Sequence, residues 1–299
     1  MGGKSFLSRM MQGQTLPVLI VIGFIIVFWY IAAVWLNAPW QLGVYERAEN
    51  TDWTPTQFIS DTLNQERPVL PSAHQVAGEI WKTTVQKKIT SRRSLIYHAW
   101  ITLSATLLGF VIGSVLGILL AIGIVHSRAM DKSTMPWIIA SQTIPILAIA
   151  PMIIVVLNAI GISGVLPKAL ISTYLSFFPV AVGMVKGFRS PEQIQLDLMH
   201  TYAATKSQVF WKLRWFAALP YLFTSMKIAI SISLVGAIVG ELPTGAVAGL
   251  GARLLSGSYY GQTVQIWSAL VMAAALAAAL VTLVGVVERF VTRRMGARP

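Results

Sequence analysis

The stretch Asp197-Leu-Met-His-Thr-Tyr-Ala-Ala-Thr-Lys-Ser-Gln-Val-Phe-Trp-Lys-Leu-Arg-Trp-Phe-Ala-Ala-Leu-Pro220 joins two long apolar runs. It is polar, basic and amphipathic, and its own apolar side chains are too interrupted to span a bilayer. A segment of this kind is built to lie at a membrane surface and touch a soluble partner. Its neighbours must therefore be read as membrane spans, and the rest of the chain follows from that reading.

Composition agrees. The chain is 55% hydrophobic and 11% charged, against about 25% charged in ordinary soluble domains. A soluble protein this apolar would expose large adhesive patches, so a bilayer is the simpler solvent. A hydrocarbon core about 30 Å thick needs roughly 20 apolar residues per helix. Six segments approach or meet that length: Pro17–Leu36, Trp100–Val125, Pro136–Ile160, Val165–Val185, Ala217–Gly240 and Trp267–Val287. The expected fold is an all-α integral membrane protein of six transmembrane helices. The uncharged run Pro17–Leu36 exceeds the about 7–15 residues of a signal-peptide core, so it is read as a retained helix.

Charge sets the direction. With the N-terminus inside, the N-terminal segment, the turn near Arg128, the loop Lys186–Arg214 and the C-terminal tail hold thirteen basic and four acidic residues. The larger outer regions hold eight basic and seven acidic. Short basic loops stay inside, so both termini are expected in the cytoplasm. The net charge of +12 thus reads as a topology signal and not as a nucleic-acid surface. The chain divides into residues 1–36, a cytoplasmic N-terminus and first span; 37–97, an external insertion and amphipathic lead-in; 98–294, a core of five spans with the loop 186–216; and the tail 295–299.

Several residues carry mechanism. Gly109, Gly113 and Gly117 recur every four positions, which places them on one helix face where another backbone approaches closely, within the chain or across a dimer. The third span carries Pro136, Pro145 and Pro151, with Ser141-Gln142-Thr143 before the middle one. Proline frees carbonyls that a membrane tolerates beside protein or a wet cavity. Gln142, Thr143, Pro145 and Tyr174 are therefore candidates for a translocation path, or for helix-to-helix hydrogen bonding. Glu241 ends the fifth span, where either solvation or a place near the pathway mouth suits it. Lys227 lies about two turns inside the same span, within snorkelling reach of the interface.

The loop 186–216 resembles the coupling loop of bacterial ABC importer permeases. That family's pattern is an acidic residue, two small residues, three variable ones, then Gly-Ala. Asp197, Leu198 and Met199, then Ala203 and Ala204, stand at those positions. Trp211-Lys-Leu-Arg214 followed by Ala217-Ala-Leu-Pro220-Tyr221 is similar to the nitrate/sulfonate/taurine and pyrimidine-precursor or riboflavin-like branch, and Gly249-Leu-Gly251 after Gly240-Glu241 resembles the family's Gly-rich external turn. Ala203 stands where the family has glycine, and Trp215-Phe216 where it has Leu-Pro. The resemblance spans roughly Leu70 to Arg294. It implies a type I permease fold whose coupling helix comprises Asp197, Leu198, Met199, His200, Tyr202, Ala203, Ala204 and Thr205. It also implies an ABC ATPase subunit, an extracytoplasmic solute-binding protein, a second permease copy or homologous permease, and a place in the bacterial inner membrane. The solute class would be small and polar, an N-heterocycle or else nitrate, sulfonate or taurine. The Pro136–Pro145 run looks more like the heterocycle members.

No catalytic site is expected. The chain lacks Gly-x-x-x-x-Gly-Lys-Ser/Thr, so ATP belongs to the partner and no cofactor is expected here. It has no cysteine, its four histidines are dispersed, and no metal site is expected. A stand-alone secondary carrier is the rival reading, but neither inverted repeats nor midplane ion-binding residues are evident.

Overall fold

The computed structural model describes residues 15–242 and 248–295. All regular elements among them are helical. In chain order they are α1 (Thr15–Arg47), α2 (Pro55–Leu63), α3 (Ala73–Thr84) and α4 (Leu95–His126). Then come α5 (Arg128–Ser141), α6 (Ile146–Ala159), α7 (Val165–Phe188) and α8 (Gln193–Thr201). A four-residue α9 (Lys206–Val209) runs through a π turn (Phe210–Arg214) into α10 (Trp215–Glu241), and α11 (Leu250–Tyr259) and α12 (Thr263–Arg294) follow. Five helices, α1, α4, α7, α12 and the continuous 206–241 segment, are long and apolar enough to cross a membrane.

The sixth expected span, Pro136–Ile160, is not one rod. It is the pair α5 and α6, bent by 98° at residues 142–145. Six crossings are reached only if this pair counts as one. The bend has a local cause. Pro145 has no N–H, and its ring excludes the carbonyl of residue 141 from a helical bond. That carbonyl accepts instead from the Tyr174 hydroxyl of α7. Gln142 N and Thr143 N bond to Ile139 O and Ala140 O at 3.2 and 3.0 Å, tightening the last turn of α5.

The chain forms two compact units. The first holds the described residues up to 88 together with 255–268. Its α1 continues past Leu36, where the apolar run ends. The region expected as an external insertion is thus largely helical, with α2 packed back on α1. Asn37 is wholly buried and organises this turn. Its side-chain amide donates to Leu70 O (2.8 Å), and its Oδ1 accepts from Val69 N and Leu70 N. Gln65 adds bonds to Asn37 O and Gln41 Oε1, and Tyr45 donates to Asp61 at 2.6 Å. A buried amide with both ends satisfied tolerates little displacement.

The second unit, residues 89–242, 248–254 and 269–295, is built on α4, α7 and α10. Small residues bring their backbones together. A Cβ added at Gly109 would lie 2.6 Å from Ala169 O, and one at Gly117 would lie 2.7 Å from Phe177 O. Gly187 abuts Ala218, and Gly236 abuts Ser172, in the same manner. The close approach admits interhelical hydrogen bonds: Ser172 Oγ donates to Ser233 O (2.9 Å), and Ser233 Oγ to Thr106 O (2.8 Å). This is packing by contact and hydrogen bonding, as apolar solvent requires. Gly109, Gly113 and Gly117 therefore face α7 of the same chain. Lys227, expected to snorkel, instead pairs with Glu288 of α12.

Candidate functional site

The loop after α7 folds as two short helical pieces at an angle. Arg189 at its base is paired with Asp131 of α5 at 2.9 Å. Glu192 precedes α8 as its N-cap residue, and its N–H donates to Gln195 Oε1 (3.1 Å). The helix has no buried residue. Its apolar side chains Ile194 (72% exposed), Leu198 (55%) and Tyr202 (77%) recur every four positions and form one bare stripe. Asp197 is exposed beside it and accepts from Gln193 Nε2 at 2.9 Å, while Met199 is half-buried. Gln193, Leu196 and His200 occupy the opposite face and line a groove of about 440 Å³.

The tip of the loop shows why glycine is the natural residue at 203. Helix α8 ends with Tyr202 as C-cap, and Ala203 takes φ +49°. Ala203 N donates to His200 O (2.9 Å) and Ala204 N to Met199 O (3.0 Å), the double bond of a Schellman turn. Alanine's helix propensity is thus not used at this position. A left-handed alanine costs about 1 kcal/mol that glycine avoids. Ala203→Gly is therefore expected to slow amide exchange in α8 about five-fold, read by deuterium uptake; unchanged uptake would show that the turn carries no strain. Thr205 then restarts the helix, with Gln208 N on its Oγ1 (3.3 Å) and its own N–H on Gln208 Oε1 (2.8 Å).

At the helix break, Gln142, Thr143 and Pro145 are exposed. Thr143 Oγ1 donates to Ala140 O (2.8 Å), and the exposed Gln142 amide donates to Ser141 Oγ at 3.4 Å. Tyr174 joins this cluster through Ser141 O.

Glu241 sits in a different network, fully buried. Thr102 Oγ1 lies 3.0 and 2.9 Å from its two oxygens, Gly251 N donates to Oε2 (2.9 Å), and Lys168 Nζ lies 3.5 Å from Oε1. Around it Leu250 N donates to Thr102 Oγ1 (2.8 Å), Gly249 N to His98 Nδ1 (3.0 Å), and Lys168 Nζ to Ala248 O (3.1 Å). The carboxylate and its neighbours thus cap the first N–H groups of α11, groups that would otherwise be orphaned. Gly249, at φ +130°, leaves room for it: a Cβ there would meet the carboxylate at 2.1 Å. Thr102 and Ile194 were not singled out from sequence.

A bundle of long apolar helices, with a short helix on a polar loop that buries nothing, defines an integral membrane protein. The chain belongs to the family of binding-protein-dependent transport system inner membrane components, the permeases of ABC importers, whose profile matches residues 113–297. It is 33% identical over 184 residues to the formylaminopyrimidine transport permease protein ThiX of Halalkalibacterium halodurans, covering 61% of this chain and 68% of that one. It is 31% identical over 225 residues to the riboflavin transport system permease protein RibX of Chloroflexus aurantiacus, covering 75% and 80%. A putative aliphatic sulfonates transport permease protein SsuC of Bacillus subtilis is 24% identical over 203 residues, covering 68% and 72%. The protein is a multi-pass inner-membrane permease and not an enzyme.

Proposed function

We propose that this chain is the permease subunit of an ATP-driven importer for a small polar N-heterocycle. The stripe Ile194, Leu198, Tyr202 is the face that a separate ATPase subunit grips. The observation that carries this reading is the stripe itself: large apolar side chains left bare on a helix that buries nothing. Such a face costs free energy in water unless a groove covers it. Asp197, the turn Ala203-Ala204 and Thr205 set the position and angle of that helix. The loop and both termini lie in the cytoplasm, as the excess of basic over acidic residues in these segments indicates.

The passage runs by the break at Gln142, Thr143 and Pro145, with Tyr174 bracing it, and an extracytoplasmic binding protein selects the solute. A second permease subunit completes the passage. Two observations favour an uncharged solute over an oxyanion. Lys168 and Lys227, the cations within spans, are already paired with Glu241 and Glu288. The relatives named for formylaminopyrimidine and riboflavin transport are also nearer in identity than the sulfonate one.

A cysteine at position 198 of this cysteine-free chain should react with an impermeant maleimide only in inside-out vesicles, and binding of the ATPase subunit should protect it. Leu198→Asp should insert normally yet reduce transport and permease-stimulated ATP hydrolysis at least ten-fold. Labelling from outside intact cells would overturn the topology, and full stimulation by Leu198→Asp would overturn the docking face.

A further inference from the structure

We propose that the groove behind α8 is a binding site for the phosphate headgroup of an anionic phospholipid. The inference rests on the reading that places this loop at the cytoplasmic membrane surface. Three elements build the groove: the end of α4 contributes His126, α8 contributes His200, and the 206–214 segment contributes Lys206, Phe210 and Arg214. Lys206, Phe210 and Arg214 are four residues apart and share one helix face. Phe210 is buried, and the His126 ring stands edge-on to it with centroids 4.8 Å apart. The floor is therefore aromatic and aliphatic, and the polar rim is cationic or cation-capable.

No carboxylate lines this groove. Neither Lys206 nor Arg214 has an ion-pair partner among the described residues, whereas Arg189, Lys168 and Lys227 each have one. Two uncompensated cations facing one concave surface create a field that an anion relieves. The site also stands at the mouth of two spans, where α4 ends and the 206–241 segment begins. Trp211 and Trp215, tilted at 45° with ring centroids 5.4 Å apart, flank it as interfacial aromatics do. A phosphate on the basic rim with its acyl chains passing over Phe210 matches both parts of the groove. Basic pockets between spans on the cytoplasmic side bind lipid headgroups in this manner.

The ATPase is the other macromolecule that meets this loop. It is served by the opposite face of α8, since Ile194, Leu198 and Tyr202 point away from the side formed by Gln193, Leu196 and His200. One short helix thus carries two contacts, a protein partner on one side and a lipid on the other. A lipid seated there would brace α8 against the ends of the spans that it must move.

The test is native mass spectrometry of the purified full chain, without the ATPase, titrated with phosphatidylglycerol or phosphatidylcholine. Phosphatidylglycerol should be retained selectively. Lys206→Gln should weaken it roughly five-fold, and Lys206→Gln with Arg214→Gln about thirty-fold, following roughly a factor of five per basic residue near an anionic surface. Arg214→Lys should keep most of the affinity, and Lys132→Gln, outside the groove, all of it. Lys206 is exposed, so its substitution leaves the fold intact and the single variant is decisive. Equal retention of phosphatidylcholine would overturn the proposal. So would displacement of the lipid by millimolar inorganic phosphate, which would mark a free-anion site. Because the titration contains no ATPase, its outcome is independent of whether Leu198 docks one.

Discussion

Lys168→Ala is expected to destabilise the protein by about 3–5 kcal/mol, because it leaves the Glu241 carboxylate buried without its counter-charge. Glu241 is wholly enclosed, and Lys168, 12% exposed, is its ion-pair partner at 3.5 Å. The same substitution frees Ala248 O, which now accepts from Lys168. The loss should appear as a lower midpoint in a thermal scan followed by size-exclusion chromatography. Glu241→Gln added to Lys168→Ala should recover part of it, since a neutral amide needs no counter-charge and the two positions are coupled. A midpoint unchanged by Lys168→Ala would mean that the pair is not closed in the protein. Where the midpoint does fall, lost transport in Lys168→Ala reports the anchoring of α11 and says nothing of charge along the passage.

Gly117→Leu should be nearly as severe, at about 3 kcal/mol or more. The atoms that a new Cβ meets, Phe177 O at 2.7 Å and Ala181 N at 2.9 Å, belong to the backbone of α7 and cannot rotate away. The helices would have to separate, breaking the Thr173 and Ser176 bonds to Gly109 O higher on the same seam. Gly123→Ala is the control. Its Cβ meets only the flexible end of Met130, so it should fold normally. Gly23→Leu, with nothing within 4 Å, should also be silent. Yield of monodisperse protein after solubilisation separates these cases. Equal yields for Gly117→Leu and Gly123→Ala would show that α4 and α7 are not in direct backbone contact.

Much of this was legible in the residues taken singly. The apolar runs predict four long helices within a few residues of where they stand, because an uncharged stretch of that length has no other solution in lipid. The basic, interrupted segment after Val185 reads as a surface loop for the same reason. The Gly109, Gly113, Gly117 spacing names a close helix contact, although it leaves the partner open. The structure supplies α7 of the same chain, through Ser172, Ser176 and Ala181.

Other features exist only in three dimensions. The proline at 145 predicts weakness in the third span, but a 98° bend needs an acceptor for Ser141 O, and Tyr174 comes from another helix. Asn37 and the polar residues after it read as a loop from composition. They form helix because Leu70 and Gln65, about thirty residues on, satisfy the asparagine where it is buried. Glu241 at the end of an apolar run reads, from sequence, as either solvated or placed near the pathway mouth. Its burial depends on Thr102 and Lys168, which are far away in the chain and have ordinary sequence surroundings. The sequence by itself determined the solvent, five of the spans and the position of the surface loop, since these follow from hydrophobicity and charge summed along the chain. Only the tertiary structure decided which polar groups within and between the spans are satisfied and by whom, because in a medium without water each such group depends on a partner brought by another helix.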